Sequence, residues 1–392
     1  MNITEVSTPV LKEFIKNKKG WLIDARPSEA YHGWTLQNEK KGGHIKGAKS
    51  LPLKWTKYMD WIEIVRSKGI FEEHEIILYS YQKEEALQLA KVFQKAGYTQ
   101  LSIYPHFISE WIEEDLPMNS LARYKNLVYP EWVNALINDN KPPHYDHKKY
   151  VICHSHYRNR AAYLSGHIPG AIDLDTLALE APETWNRRSP EEIKKALEAH
   201  GITADTTVVL YGKFMDPDNA DDFPGSAAGH IGAIRNAMIM MYAGVKDVRV
   251  LNGGFRSWTD AGFEVSKEDV PKQAVEDFGL KIPANPQLIV DIPKAREMIK
   301  AEDADLVCTR SWLEYIGEVS GYNYIEKKGR IPGAVFVNCG SDAYHMENYR
   351  NLDHTVREFQ ETMAIWQSFG LSPDKHLAFL LWHRMARKRS FL

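Results

Sequence analysis

Cysteine is scarce in this chain: Cys153, Cys308 and Cys339 are the only three in 392 residues, and no two form a C-x-x-C pair. So odd and sparse a set sets aside a disulfide framework and a zinc knuckle, and it suits a reducing compartment. Long apolar runs are lacking as well. The longest, around Ala237 to Val245, falls far short of a bilayer span. Met1 to Gly20 has no apolar core and no small-residue cleavage site, so nothing there reads as a signal peptide. The expected address is cytoplasmic, or periplasmic for a protein whose leader has been removed. Charge of one sign is missing too. Lys and Arg number 49 against 52 Asp and Glu, a net of −3, which argues against a general nucleic-acid binder.

What the sequence does have is a repeated phrase. Gly166-His167-Ile168-Pro169-Gly170-Ala171 is matched upstream by Gly43-His44-Ile45-Lys46-Gly47-Ala48 and downstream by Gly329-Arg330-Ile331-Pro332-Gly333-Ala334. Two glycines at fixed separation suggest backbone that turns tightly or is closely approached. One such hexamer is a weak signal. Three in matching surroundings indicate a tandem array.

The surroundings do match. A short apolar run precedes each hexamer: Trp21 to Arg26, Tyr150 to Ser155, and Leu306 to Ser311. Brief runs of this kind, bounded by polar residues, predict buried strands. A helical pattern follows each hexamer and stops at Gly69, Gly201 or Gly370, where glycine suits a left-handed helix end. A second strand is then predicted at Glu75 to Tyr79, Thr207 to Tyr211 and His376 to Leu380. Strands alternating with helices give the α/β class, with a parallel sheet flanked by helices on both faces in each repeat. The expected domains are 1–115, 126–268 and 287–392, joined by linkers at Leu116 to Lys125 and Asp269 to Pro286. The first two continue through another helix and strand, to Leu101–Tyr104 and Val248–Leu251. The third does not, so it is expected to be incomplete and poorly ordered.

Candidate chemistry is thin. Tyr79-Ser80-Tyr81-Gln82-Lys83 and Tyr211-Gly212-Lys213, which follow the second strands of repeats one and two, hold no cysteine, and Ser80 has no adjacent histidine base. Cys153-His154-Ser155-His156 invites a metal reading, but its spacing fits no zinc knuckle and a packed strand end accounts for it better. Asp216, Asp218, Asn219, Asp221 and Asp222 imitate half a calcium loop, yet Ala227 stands where the bidentate glutamate is needed, so a solvated acidic loop is expected. His230, in Gly229-His230-Ile231-Gly232-Ala233, copies the hexamer but sits before an apolar run and reads as helix. No metal and no cofactor are expected. Arg310 is the one proposed substrate-binding residue, because its fork of donors grips oxyanions. An ion pair within the domain is the rival account.

Asp24-Ala25-Arg26, the repeated hexamer and Gly253-Gly254-Phe255-Arg256-Ser257-Trp258 together resemble the rhodanese family of sulfurtransferases, and the three-copy layout is similar to its bacterial three-domain thiosulfate sulfurtransferases. The resemblance implies tandem rhodanese-like domains. It implies that sulfane sulfur moves from thiosulfate or a similar small-molecule donor, through a cysteine persulfide, to a thiol or cyanide acceptor. A protein sulfur acceptor is a further possible partner; nucleic acid and membrane are not. It places that cysteine in the loop after the second strand of the last domain, where main-chain amides lower its pKa. Here that loop reads Leu380-Leu381-Trp382-His383-Arg384, and no catalytic residue is assigned. The chain as written is therefore expected to be inactive, with a non-catalytic binding or scaffold protein as the alternative. A phosphatase of the related fold is a weaker reading, since it needs the same loop cysteine. Back-translation in a frame shifted by one nucleotide within the codon for Leu380 permits Tyr-Cys-Gly-Thr-Gly-Trp over residues 380–385, with the first glycine and the tryptophan forced. A genuine basic tail, Arg384 with Arg387-Lys388-Arg389, is the rival to that frameshift.

Overall fold

The computed structural model describes residues 3–146, 149–183, 186–214, 229–320, 326–341 and 346–380. They form two compact units, residues 1–125 and 126–392. In the first unit the elements run β1 (Thr4–Glu5), α1 (Thr8–Asn17), β2 (Trp21–Asp24), α2 (Ser28–His32), β3 (His44–Ile45), β4 (Lys49–Ser50), α3 (Trp61–Ser67), β5 (Ile76–Tyr79), α4 (Lys83–Lys95), β6 (Leu101–Tyr104) and β7 (Met118–Asn119). The sheet has the order β1-β6-β5-β2-β4, parallel throughout. Alternation along β5 sends Ile76 and Leu78 to one face, with Val65, Leu89 and Phe93. It sends Ile77 and Tyr79 to the other, with Leu11 and Phe14 of α1. Both faces are therefore covered, as a parallel sheet requires.

The second unit repeats this order. Its elements are β8 (Leu127–Val128), α5 (Pro130–Ile137), β9 (Tyr150–His156), α6 (Arg160–Leu164), β10 (Ile172–Asp175), a small antiparallel ribbon β11/β12 (Glu180–Ala181, Asn186–Arg187), α7 (Pro190–Ala199), β13 (Thr207–Gly212), α8 (Gly229–Ala243), β14 (Asp247–Leu251) and α9 (Gly254–Asp260). The parallel sheet reads β10-β9-β13-β14-β8. Then come α10 (Ile292–Met298), β15 (Ala304–Cys308), α11 (Trp312–Ile316), β16 (Val335–Phe336), α12 (Phe359–Ser368) and β17 (His376–Leu380), with a three-stranded parallel sheet β16-β15-β17. Each sheet thus contains the same neighbouring pair, β2 beside β5, β9 beside β13 and β15 beside β17.

Local signals held where they were strongest. Gly69, Gly201 and Gly370 all have positive φ, of 74°, 74° and 87°, just past α3, α7 and α12. Three boundaries moved. The stretch 116–125 is not a free linker, because β7 pairs with β3 and the Leu121 amide reaches the His32 carbonyl. Residues 269–286 pack onto the second sheet: Phe278 is fully buried and its carbonyl takes the Ala204 amide. The strand expected at Leu306 to Ser311 lies two or three residues earlier, because Ser311 caps α11 in a reciprocal pair with Glu314. The third repeat's described residues have a small two-faced core, Leu306 and Cys308 with Ala295 on one side and Val307 with Val337 and Leu371 on the other.

Candidate functional site

In each repeat the hexamer packs where the two central strands end. Both glycines have positive φ in every copy: Gly43 and Gly47 at 107° and 90°, Gly166 and Gly170 at 156° and 76°, Gly329 and Gly333 at 99° and 84°. The turn between them is closed alike, by Ala48 N–H on the Ile45 carbonyl, Ala171 on Ile168 and Ala334 on Ile331, at 2.9, 3.0 and 3.1 Å. A tyrosine from the preceding helix holds the hexamer's alanine carbonyl in all three: Tyr31 to Ala48, Tyr163 to Ala171 and Tyr315 to Ala334, at 2.8, 3.0 and 2.9 Å.

The first mouth is built around a buried ion pair. Arg26 Nε and Nη2 meet Asp24 at 3.0 and 2.7 Å, and Nη2 also reaches the Gly43 carbonyl. Burial opposes the guanidinium's charge, but the Asp24 carboxylate more than offsets it, so the pKa is raised. The ring of Phe107 lies 4.1 Å below the guanidinium carbon. No nucleophile is placed here, and Ser80 instead donates to Glu85 at 2.6 Å.

The second mouth has His154 and His156 at the positions of Asp24 and Arg26. His154 is fully buried among Tyr163, Tyr211 and Phe255, and burial pushes its pKa down to about 2. Lys213 supplies the cation, 4.6 Å from the Phe255 ring centre, with its pKa lowered to about 8 by burial. Among the described residues no group of three His, Cys, Asp or Glu is arranged to hold a metal ion. Cys153-His154-Ser155-His156 closes β9, the packed strand end expected for it. His230 lies in α8, and it is buried. Asp216 to Ala227 fall outside the described residues.

At the third mouth Cys308 takes the aspartate's place. Arg310 Nε lies 3.2 Å from Cys308 Sγ, and Nη2 holds the Gly329 carbonyl at 2.7 Å. Arg310, the residue expected to bind substrate, is 3% exposed. Its fork is turned into the fold, doing for the third hexamer what Arg26 does for the first. Thr309 donates to the Leu380 carbonyl from both its amide (3.3 Å) and its hydroxyl (3.1 Å). Cys339 in turn donates to the Thr309 carbonyl. Leu380 is the last described residue, so Leu381 to Leu392 fall outside the description.

Among the described residues, no cradle of main-chain amides surrounds any of the three thiols. All are buried, and burial pushes Cys153 and Cys339 up to about 12. Held neutral in this way, Cys153 and Cys339 are poor nucleophiles.

The Rhodanese-like domain model matches residues 7–114 and 129–261, more than half of the chain. The chain belongs to the rhodanese family. Among curated proteins it is 35% identical to thiosulfate sulfurtransferase YnjE of Escherichia coli (strain K12), over 96% of this chain and 82% of that protein. It is 29% identical to the sulfur carrier protein TtuD of Thermus thermophilus over 58% of this chain and 74% of the relative. Among solved structures it is similar to wild-type EanB, with 61% identity, a TM-score of 0.94, and coverage of 96% of this chain and 88% of that one. EanB has been solved with hercynine, with ergothioneine, and with ergothioneine covalently linked to a persulfide cysteine. Its variants replace two cysteines 31 positions apart and a tyrosine 14 positions past the first of these. The persulfide cysteine lies 42 positions past the second, and a further replaced residue, a threonine, lies two beyond that. Rhodanese membership establishes sulfur transfer as the family's chemistry. No described helix is long and apolar enough to cross a membrane.

The tyrosines that end the second strands carry no functional mark in the sequence. Tyr79 and Tyr211 stand there only as the ends of predicted strands, and their shared distance from a hexamer is the one signal available.

Proposed function

We propose that the chemistry of this chain's third repeat is transfer of sulfane sulfur from a cysteine persulfide to the imidazole ring of hercynine, giving ergothioneine. The observation that carries the reading is a spacing. Cys308 and Cys339 are 31 residues apart, and Tyr322 stands 14 past Cys308, as in EanB. Carried onward, the same spacing puts EanB's persulfide cysteine at position 381 and its threonine at 383. This chain has Leu381 and His383 there. The shifted reading frame permits Cys and Thr at those two positions. The step balances without an added oxidant: the terminal sulfur forms a bond to the ring carbon, the sulfur–sulfur bond breaks, the carbon loses its proton and the cysteine leaves as thiol.

In this reading Arg310 clamps the third hexamer and does not ligate substrate. As written, the chain has no thiol at the loop and turns over neither hercynine nor thiosulfate. The 35% likeness to YnjE favours a second reading, in which thiosulfate is the donor and a simple thiol the acceptor.

The test is the Leu381→Cys/Trp382→Gly/His383→Thr variant, given polysulfide and hercynine beside the chain as written. Persulfide at position 381 and ergothioneine from the variant alone support the proposal. Persulfide that passes only to a thiol or to cyanide, leaving hercynine untouched, would favour the second reading. Ergothioneine from the chain as written would refute the assignment of position 381. The codons from Leu380 to His383 give a separate check, since codons unable to spell Cys and Thr one nucleotide over would end the frameshift account.

A further inference from the structure

Register places Tyr79 beside Asp24, Tyr211 beside His154 and Leu380 beside Cys308, the same station in three sheets. At the first two, the tyrosine hydroxyl accepts the amide of the hexamer isoleucine: Ile45 N–H to Tyr79 at 3.0 Å and Ile168 N–H to Tyr211 at 2.9 Å. Both tyrosines are fully buried. Tyr79 also donates its own proton to Asp24 at 2.7 Å. The bond ties the hexamer to the end of the strand from which the following loop springs.

The third repeat keeps the rest of this fastening. Its turn is closed by Ala334 on Ile331, Tyr315 holds Ala334, and Arg310 holds Gly329. Leu380 and Ile331 pack against the same small core, so the two ends of the missing tie are already neighbours. A leucine offers the Ile331 amide no acceptor, and an amide left without one costs free energy as its surroundings dry.

We infer that position 380 is a positioning site of the third repeat, built for a tyrosine whose hydroxyl accepts the Ile331 amide and fixes the end of β17, one residue before position 381. The inference rests on the reading proposed above for position 381. In place of Asp24, the proton of that hydroxyl would meet the sulfur of Cys308. The tyrosine acts through the backbone and touches neither sulfur donor nor acceptor. The shifted reading frame permits tyrosine here too, one residue ahead of its cysteine.

Two measurements test it. In the full chain otherwise as written, Leu380→Tyr is expected to slow hydrogen exchange of the Ile331 amide at least about tenfold, whereas Leu380→Phe is not, because only the hydroxyl supplies the acceptor. Unchanged exchange in the tyrosine variant would overturn the strut. In the Leu381→Cys/Trp382→Gly/His383→Thr background, adding Leu380→Tyr is expected to raise the rate constant of persulfide formation about tenfold, with the half-saturating donor concentration unchanged, and Leu380→Phe is not. Equal rates with tyrosine and phenylalanine, zero included, would overturn the positioning role even if the melting temperature rises. Faster persulfide formation with hercynine left unmodified would sustain the strut and refute the acceptor instead.

Discussion

Asp24 and Arg26 lie two residues apart at the end of one strand, both fully buried, and face each other through a two-bonded carboxylate–guanidinium contact. Removing one member strands the other's charge away from water, which costs about 3–5 kcal/mol. Asp24→Ala should therefore lower the urea midpoint of the first unit by an amount of that order, while a surface change such as Lys95→Ala leaves it within about 0.5 kcal/mol. A near-neutral Asp24→Ala would mean that the Gly43 carbonyl and the surrounding rings alone hold Arg26.

The native thiols should be chemically silent. With Cys153 and Cys339 held up at about 12, the thiolate fraction at pH 8 is on the order of one part in ten thousand, and all three side chains are shut away from reagent. Iodoacetamide at pH 8 is expected to label none of them in the folded chain and all three in urea. Rapid native labelling of any one would contradict the inactivity expected of the chain as written.

Acid should weaken the second unit well before its carboxylates titrate. Burial lowers His154 to about 2 and His230 to about 3, against about 6.5 when exposed. The unfolded chain then takes up protons first, so this share of stability is complete above about pH 6.5 and is lost as pH falls toward the lowered values. Each histidine contributes a slope of at most about 1.4 kcal/mol per pH unit. The urea midpoint should drop between pH 7 and pH 5, less steeply in His154→Phe, whose ring suits the box formed by Tyr163, Tyr211 and Phe255. A midpoint indifferent to pH over that range would count against both assignments.

The third repeat should be the first to yield to protease. Among the described residues its sheet has three strands against five in each of the others, and Trp312, Leu313, Phe359 and Phe379 are each at least 44% exposed. A small core with exposed apolar side chains opens locally at low free energy. Limited trypsin digestion is expected to cut within residues 290–380 before residues 8–112, and Leu380→Tyr to delay those cuts. Simultaneous loss of all three repeats would contradict this.

Most of the architecture was legible because it was written three times. The hexamer glycines and Gly69, Gly201 and Gly370 announce backbone geometry that other residues resist, so their positions translate directly into turns. The stretch 269–286 misled because its prolines and charges outweigh the short apolar alternation Phe278, Leu280, Ile282, of which Phe278 and Ile282 are buried. Arg310 was ambiguous for a different reason. A guanidinium's donors fit a carbonyl as well as an oxyanion, and only the fold reveals which way the fork points. The tyrosine ties were hidden because each joins a side chain to a main-chain amide more than thirty residues away, a relation that no local pattern expresses.

On the proposed reading, position 381 and the residue before it decide whether the third repeat can carry sulfur. The most direct measurement is mass spectrometry of the chain as written and of Leu380→Tyr/Leu381→Cys/Trp382→Gly/His383→Thr, each after polysulfide and hercynine, with products followed by chromatography. The expected result is one added sulfur atom on Cys at position 381 and ergothioneine in solution from the variant, and neither from the chain as written. Added sulfur on Cys153, Cys308 or Cys339 of the chain as written, accompanied by turnover, would contradict it.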